Sequence, residues 1–183
     1  MFIIFRDTKK LIMKYLYTIL LSALLIGCTN SNQSVIKTDD DLSAKIKLQY
    51  ENYAANNFSF SDQYSDSVVA KINNMVIDGK NDLMTGWKSH HEILYVNINI
   101  EDVYIHTNYL SNGNIWTNAW FTWKGKAQTT GQEYSNRGHF DYKWEDGKIV
   151  ELLAYFDETS ENNEIAAYTA SLCLLYTSPS PRD

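Results

Sequence analysis

Apolar residues recur at helical spacing in two stretches of the first half of the chain. The first stretch places them on one side of a helix, at Leu42, Ile46, Tyr50, Tyr53 and Ala54. Thr38 and Asp41 precede it at capping-box spacing, with Asp in the place of the usual Glu or Gln. The second stretch carries Leu83, Trp87, His90 or His91, and Leu94. Asn81 or Asp82 is the expected cap, and Gly86 weakens this helix.

Short β-branched or alternating runs predict strands elsewhere. Their ranges are Ser67–Ile72, 96–106, Ile115–Lys124, Gln132–Trp144 and Lys148–Asp157. Turns are expected at Asp78-Gly79, Asn112-Gly113, Lys124-Gly125 and Asp146-Gly147. The apolar phase slips by one residue near Glu101-Asp102, which predicts a β-bulge or a strand break. Helices followed by a strand meander indicate an α+β domain, with helices packed on one face of a curved antiparallel sheet.

The N-terminus resembles a bacterial lipoprotein signal peptide. Basic residues precede an apolar run from Tyr15 to Ile26, and they are Arg6, Lys9, Lys10 and Lys14. The run is shorter than the roughly 20 residues of a spanning helix, and it ends in Leu25-Ile26-Gly27-Cys28, which resembles a lipobox. We therefore expect a signal peptide over residues 1–27, with Met1 or Met13 as the start, and lipidation of Cys28. This implies a protein anchored by lipid in the bacterial cell envelope, on a tether spanning 28–37.

The C-terminal segment has a different origin in our interpretation. Back-translated, Cys173–Asp183 matches a transposase end sequence and adapter used in preparing sequencing libraries, and we interpret 171–183 as an assembly artefact. Both prolines and the second cysteine lie in this segment, so the domain expected over 38–170 has no proline and no disulfide. Without the signal and this segment, 11 basic and 20 acidic residues leave a net charge of −9. Such an acidic domain is a poor partner for nucleic acid.

Two sequence segments carry a family resemblance. Tyr64-Ser65-Asp66-Ser67-Val68, and Asp146–Glu151 followed by Tyr155-Phe156-Asp157, resemble the SnoaL-like branch of the nuclear transport factor 2-like superfamily. The resemblance covers about residues 40–168. It implies a cone-shaped domain in which a curved antiparallel sheet and N-terminal helices enclose a pocket, and a homodimer formed through the outer sheet face.

The resemblance also bears on chemistry. Ketosteroid isomerases of this superfamily carry a carboxylate base on the first strand, where this chain has Lys71. That departure argues against steroid-type isomerisation. Polyketide cyclase-like and epoxide hydrolase-like reactions stay open, although no complete set of their residues can be placed on this sequence.

Few titratable residues are candidates for catalysis. Arg137, His139 and Asp141 alternate on one strand face, and Asp157 ends the last strand. A catalytic cluster of His139, Asp157 and Arg137 at the pocket mouth would move a proton through His139 and hold an anion on Arg137. Alternatively, these residues form the solvated side of the sheet.

Aromatic residues are the most distinctive part of the composition. All five tryptophans lie between residues 87 and 144, with several tyrosines among them. We expect an aromatic ligand pocket formed by Tyr53, Trp87, Tyr104, Trp116, Trp120 and Tyr142. Alternatively, these rings fill the core and the dimer interface. Trp116 and Trp120 share a strand face, with Trp123 on the other.

The preferred functional interpretation is a binding module for a small apolar or aromatic molecule. The alternatives are an isomerase, cyclase or hydrolase of the SnoaL-like type, and an accessory domain that binds proteins. Cofactors and metals are not expected, because adjacent His90 and His91 point about 100° apart on a helix and no metal-binding motif occurs.

Overall fold

The structure, a computed structural model, describes residues 33–177 of the chain. The expected signal peptide, the lipidation site Cys28 and residues 178–183 lie outside the described residues. No helix within 33–177 has both the length and the apolar character needed to cross a membrane.

Seven strands form one curled sheet, in the order β1-β4-β5-β6-β7-β2-β3. Their bounds are β1 (Val35–Lys37), β2 (Tyr64–Ile72), β3 (Met75–Asp78), β4 (Tyr95–Tyr109), β5 (Ile115–Ala127), β6 (Glu133–Glu145) and β7 (Lys148–Phe156). All neighbouring strands are antiparallel except β2 and β7, which run parallel. The α+β architecture expected from the sequence is therefore confirmed.

Three α-helices accompany the sheet within the described residues. They are α1 (Asp41–Ala54), α2 (Lys80–Ser89) and α3 (Thr159–Thr177), and one π-helical turn, His90–Leu94, joins α2 to β4. Helix α1 covers the inner face of β4 and β5, and α2 packs against β2 and β3. The two helices predicted from apolar periodicity are confirmed, whereas α3 was not predicted.

The helix starts differ from the expected ones. Asp40, not Thr38, caps α1, because its carboxylate accepts a hydrogen bond from the Ser43 amide at 3.1 Å. Helix α2 begins directly after Gly79, which has a φ of 94° and gives no side-chain cap. The capping box and the Asn81 or Asp82 cap are therefore wrong.

The long strands of the meander also correct the sequence interpretation. Lys124-Gly125 is not a turn, because β5 continues to Ala127 with the Trp123 indole packed over the bare Gly125 backbone. The bulge expected at Glu101-Asp102 is confirmed by a register shift there and by a positive φ at Asp102. Strands β1 and β3 were missed, so the predicted tether already contains a strand at residues 35–37.

A chain of buried hydroxyl groups ties α1 to the sheet. The Trp144 indole N–H donates to Thr117 Oγ1 at 2.9 Å, and Thr117, Thr107 and Ser43 continue the chain at 2.9 Å per step. Because each member is buried and bonded, the chain fixes the position of α1 without leaving a buried polar group unpaired. The sheet and α1 thus form a defined frame for the cavity beside them.

Candidate ligand-binding cavity

A cavity of about 520 Å³ lies between the inner face of the sheet and residues from all three helices. Its volume is in the range typical of small-molecule sites. Aromatic rings form much of its wall, and they include Tyr53, Trp87, Tyr95, Phe121, Trp123 and Phe140. The aliphatic lining comes from α2, α3, β2, β3 and β4. The cavity is therefore mostly apolar, with a small number of polar groups.

Three of those polar groups form a hydrogen-bonded chain in the wall. The Tyr53 hydroxyl lies 2.8 Å from His90 Nδ1, and His90 Nε2 lies 3.3 Å from Glu161 Oε1. Tyr53, His90 and Glu161 all line the cavity. The chain therefore joins α1, the π-helical turn and α3 at one place.

Tyr53 stays protonated in this chain. Burial raises the pKa of Tyr53 strongly, and a hydrogen bond with Trp123 only partly offsets this. The indole N–H can only donate, so the Tyr53 oxygen accepts from Trp123. In the hydrogen bond between the Tyr53 hydroxyl and His90 Nδ1, the tautomer of His90 decides which atom donates.

Glu161 is ionised in this arrangement. The hydrogen bond from His90 lowers the pKa of its carboxyl group, and this effect exceeds the opposing effect of burial. Glu161 therefore places a carboxylate charge in a mostly apolar wall. That charge is the main electrostatic feature of the cavity.

Local backbone geometry brings these side chains together. The helix after α2 widens into a π-helical turn that starts at His90, a feature that frequently marks functional sites. Asp157 Oδ1 accepts from the Thr159 amide at 2.9 Å and so begins α3, which places Glu161 in its first turn. Asn136 on β6 donates to Ser160 Oγ at 2.6 Å and holds the same turn against the sheet.

The remaining polar lining includes Arg137 on β6 and Glu158 beside α3. Arg137 is solvent-exposed, whereas Glu158 is half-buried. The acidic residues of the lining are Glu158 and Glu161. The side chain of Arg137 is in the outer-face phase of β6, since this residue pairs with Thr122.

No protein-family model matches the sequence, and no curated protein matches it. Solved structures do. A proposed isomerase from Bacillus subtilis has 14% identity and a TM-score of 0.57, over 68% of this chain and 91% of that one. A proposed polyketide cyclase from Pseudomonas putida has 18% identity and a TM-score of 0.56, over 66% and 94%. A nuclear transport factor 2-like protein from Anabaena variabilis has 16% identity and a TM-score of 0.53, over 72% and 94%.

The described domain has the nuclear transport factor 2-like fold. The fold expected from the sequence resemblance is confirmed, including the curled sheet and the helices that enclose a pocket. Identities of 14 to 18% establish this fold and leave the activity to be argued from the site itself.

The nuclear transport factor 2-like domain places only part of the expected site on the cavity. Tyr53 and Trp87 line it. Arg137 from the expected catalytic cluster borders it, but alternation along β6 puts the Arg137 side chain on the same outer face as His139. Tyr53 also packs edge-on against Trp87, with ring centroids 6.3 Å apart. Tyr53 and Trp87 therefore remain candidates for contact with a ligand.

His139 and Asp157 do not line the cavity, so their expected place at its mouth is corrected. His139 lies on the outer face of the sheet, stacked on Trp120 with centroids 4.2 Å apart and 2.9 Å from Asp141 Oδ1. Asp157 lies in a shallow polar depression on the surface, where the hydrogen bonds from Thr159 lower the pKa of its carboxyl group. Alternation along β6 explains this, because His139 has the opposite orientation to the cavity residues Gly138 and Phe140.

Four of the expected aromatic pocket residues also lie elsewhere. Tyr104, Trp116 and Trp120 are on the outer sheet face, and Tyr104 and Trp120 are exposed. Tyr142 is on the inner face but is fully buried. Its hydroxyl donates to Tyr50 at 3.0 Å and accepts from Gln49 at 3.4 Å. The expected separation of Trp123 from Trp116 and Trp120 is confirmed, and Trp123 is the tryptophan of β5 that reaches the cavity.

Sequence reasoning missed His90 and Glu161 as cavity residues. His90 was considered only as a helix-face residue or a metal ligand, although its spacing from Trp87 put both on one helical face. Glu161 follows a usable signal, because Asp157 followed by Thr159-Ser160-Glu161 is typical of a helix start. Within residues 33–177, no three His, Cys, Asp or Glu side chains are arranged to hold a metal ion.

Proposed function

We propose that this domain binds a small apolar or aromatic molecule in its cavity. The observation that carries the proposal is the 520 Å³ space itself, lined by aromatic rings and by few polar groups. Pockets of this composition bury the apolar surface of a ligand and use isolated polar groups to orient it. In this cavity the Glu161 carboxylate is one group available for that second task.

Gly86 offers a direct test of the cavity. It lies on α2 in the cavity lining, and a Cβ added there meets no heavy atom within 4 Å. Gly86→Trp therefore directs an indole into the open space without strain in the helix. We expect 3-tert-butylphenol to bind the wild-type protein in calorimetry and to bind Gly86→Trp at least tenfold more weakly.

The matched control is Gly86→Ala, which leaves room for the ligand and is expected to bind like the wild type. Equal binding by the wild type and Gly86→Trp would place the phenol outside the cavity. No binding by the wild type would overturn the proposal.

A second candidate function is acid–base catalysis of the isomerase or cyclase type. It is favoured by the chain Tyr53–His90–Glu161, in which a carboxylate backed by an imidazole faces an apolar space. Glu161 would take a proton from carbon and return it to another position. Its lowered pKa makes it a weaker base, and for this reason binding is the preferred function.

Proton transfer can be measured separately from binding. Exchange of the α-protons of 2-indanone in D₂O, followed by NMR, is accelerated by the wild type if Glu161 acts as a base. Glu161→Gln would then remove the acceleration. Exchange at the buffer rate with both proteins would exclude Glu161 as a base for this ketone.

The sequence of the N-terminus supports a lipid anchor, and we include it in the proposed function. Gly27-Cys28 after the basic and apolar segments is the expected processing site. Metabolic labelling with palmitate in a bacterial host is expected to label the wild type and not Cys28→Ser. Equal labelling of the two would show that Cys28 is not the lipidated residue.

Self-association through the outer sheet face is also part of the proposal. Tyr104 on β4, Trp120 on β5 and Tyr155 on β7 expose large aromatic surfaces on that face. Exposed apolar surface of this kind favours a protein interface. Sedimentation analysis is expected to give a dimer that Trp120→Glu converts to a monomer. A wild-type protein that is still monomeric at a concentration of about 100 µM, where weak association is detectable, would exclude the dimer.

A further inference from the structure

The cavity contains a carboxylate, Glu161, that forms no ion pair with a lysine or arginine among residues 33–177. Its partner is His90, in one long hydrogen bond at 3.3 Å, and its side chain is 28% exposed. A negative charge in a mostly apolar site is costly unless a partner compensates it.

Aromatic rings surround this carboxylate. Tyr53, Tyr95 and Trp123 line the same cavity as Glu161, and Tyr53 is joined to Glu161 through His90. The negative charge of Glu161 adds to the effect of burial, which raises the pKa of Tyr53 and that of Tyr95, the latter to about 12. Tyr95 packs edge-on against Trp123 with centroids 4.7 Å apart. A carboxylate beside several aromatic faces is the environment that an organic cation prefers, because ring faces attract a desolvated ammonium group.

The other charged groups of the lining agree with this preference. Glu158 adds a second carboxylate, while the side chain of Arg137, the arginine among the lining residues, is solvent-exposed and in the outer-face phase of β6. Solvent screens the repulsion that exposed Arg137 exerts on a cation more than it screens the attraction of Glu161. The field in the apolar part of the cavity therefore favours a positive ligand.

We propose that the ligand of this cavity has an apolar body and a protonated or quaternary amine, and that Glu161 holds the amine between the rings of Tyr53, Tyr95 and Trp123. This inference rests on the proposed binding function and names its ligand class. It assigns to Glu161 the selection of charge and to the aromatic wall the binding of the apolar body.

An isosteric pair of probes isolates the effect of charge. 3-Hydroxyphenyltrimethylammonium and 3-tert-butylphenol have nearly the same shape, and only the first is a cation. Calorimetry at pH 8 with the purified protein is expected to give at least tenfold tighter binding of the cation. Glu161→Gln, which keeps the size of the side chain, is expected to reduce this preference to within threefold while the phenol binds as before.

Glu51→Gln is the matched control, because it removes the same charge from an exposed position on α1. It is expected to keep the full preference for the cation. If Glu161→Gln no longer binds the phenol, Glu161→Asp becomes the test variant. It is expected to retain at least a threefold preference for the cation, since aspartate keeps the negative charge.

The outcomes separate this inference from the proposed function. Binding of the phenol with equal or weaker binding of the cation overturns the amine inference and leaves the cavity function in place. A preference for the cation that survives Glu161→Gln overturns the role of Glu161. Failure of both probes to bind overturns the cavity function and the inference together.

Discussion

Replacing Tyr142 with phenylalanine tests the buried polar network beneath the cavity. The Tyr142 hydroxyl donates to the Tyr50 hydroxyl at 3.0 Å and accepts from Gln49 Nε2 at 3.4 Å. Tyr64 completes the network by donating to Gln49 Oε1 at 3.1 Å. All four side chains are buried.

The expected cost follows from what the substitution leaves behind. Tyr142→Phe keeps the ring and removes one oxygen, so the Tyr50 hydroxyl and Gln49 Nε2 each lose the partner they have in this network. An unsatisfied buried polar group costs about 1–3 kcal/mol. The 3.4 Å bond to Gln49 is long and adds little, so we expect the free energy of unfolding to fall by about 2 kcal/mol.

Urea unfolding followed by tryptophan fluorescence measures this change. Tyr155→Phe is the matched control, because Tyr155 is 49% exposed on the outer face and its loss of a hydroxyl is expected to cost less than about 0.5 kcal/mol. The double variant with Tyr50→Phe is expected to be non-additive, since the two hydroxyls are bonded. If Tyr142→Phe were as harmless as Tyr155→Phe, the network would not contribute to stability as we argue.

Three further predictions concern other parts of the domain. Burial lowers the pKa of His91 below the value of about 6.5 for an unfolded chain. The neutral imidazole therefore contributes stability at pH 7.5 that is lost as the pH falls through the pKa of the folded state. Urea unfolding at pH 7.5 and pH 5 is expected to show a smaller loss for His91→Gln than for the wild type; identical losses would contradict this. Gly138→Ala is expected to destabilise the fold by about 1–3 kcal/mol, because its Cβ would lie 2.6 Å from Cζ of the buried Phe121 ring, and a wild-type unfolding midpoint would refute the clash. Gly86→Ala is expected to stabilise α2 by about 0.5–1 kcal/mol with its cavity retained, and a destabilised variant would show that Gly86 is required.

The sequence predicted the parts of the fold that depend on local periodicity. Apolar spacing located α1 and α2, and the phase slip at Glu101-Asp102 located the bulge of β4. Turn chemistry was less reliable, because Gly125 has the composition of a turn but lies within a strand beneath Trp123. That contact depends on packing between residues of the folded strand, which a propensity argument does not include.

The candidate site was harder to predict because it depends on tertiary structure. Tyr53, His90 and Glu161 are far apart in sequence and meet only when α3 returns to the sheet. The error at His139 has a simpler cause. Alternation along β6 shows which residues share a face, but it does not show which face is inside, and the apolar residues Phe140 and Tyr142 on the other face were the available indication.

The central claim is that a small aromatic ligand occupies the cavity. The most direct measurement is a crystal structure of the protein saturated with 3-tert-butylphenol. We predict electron density for the phenol inside the cavity, in contact with Trp87 and Trp123. An empty cavity at saturating ligand, or a phenol bound only beside Trp120 on the outer face, would contradict the account.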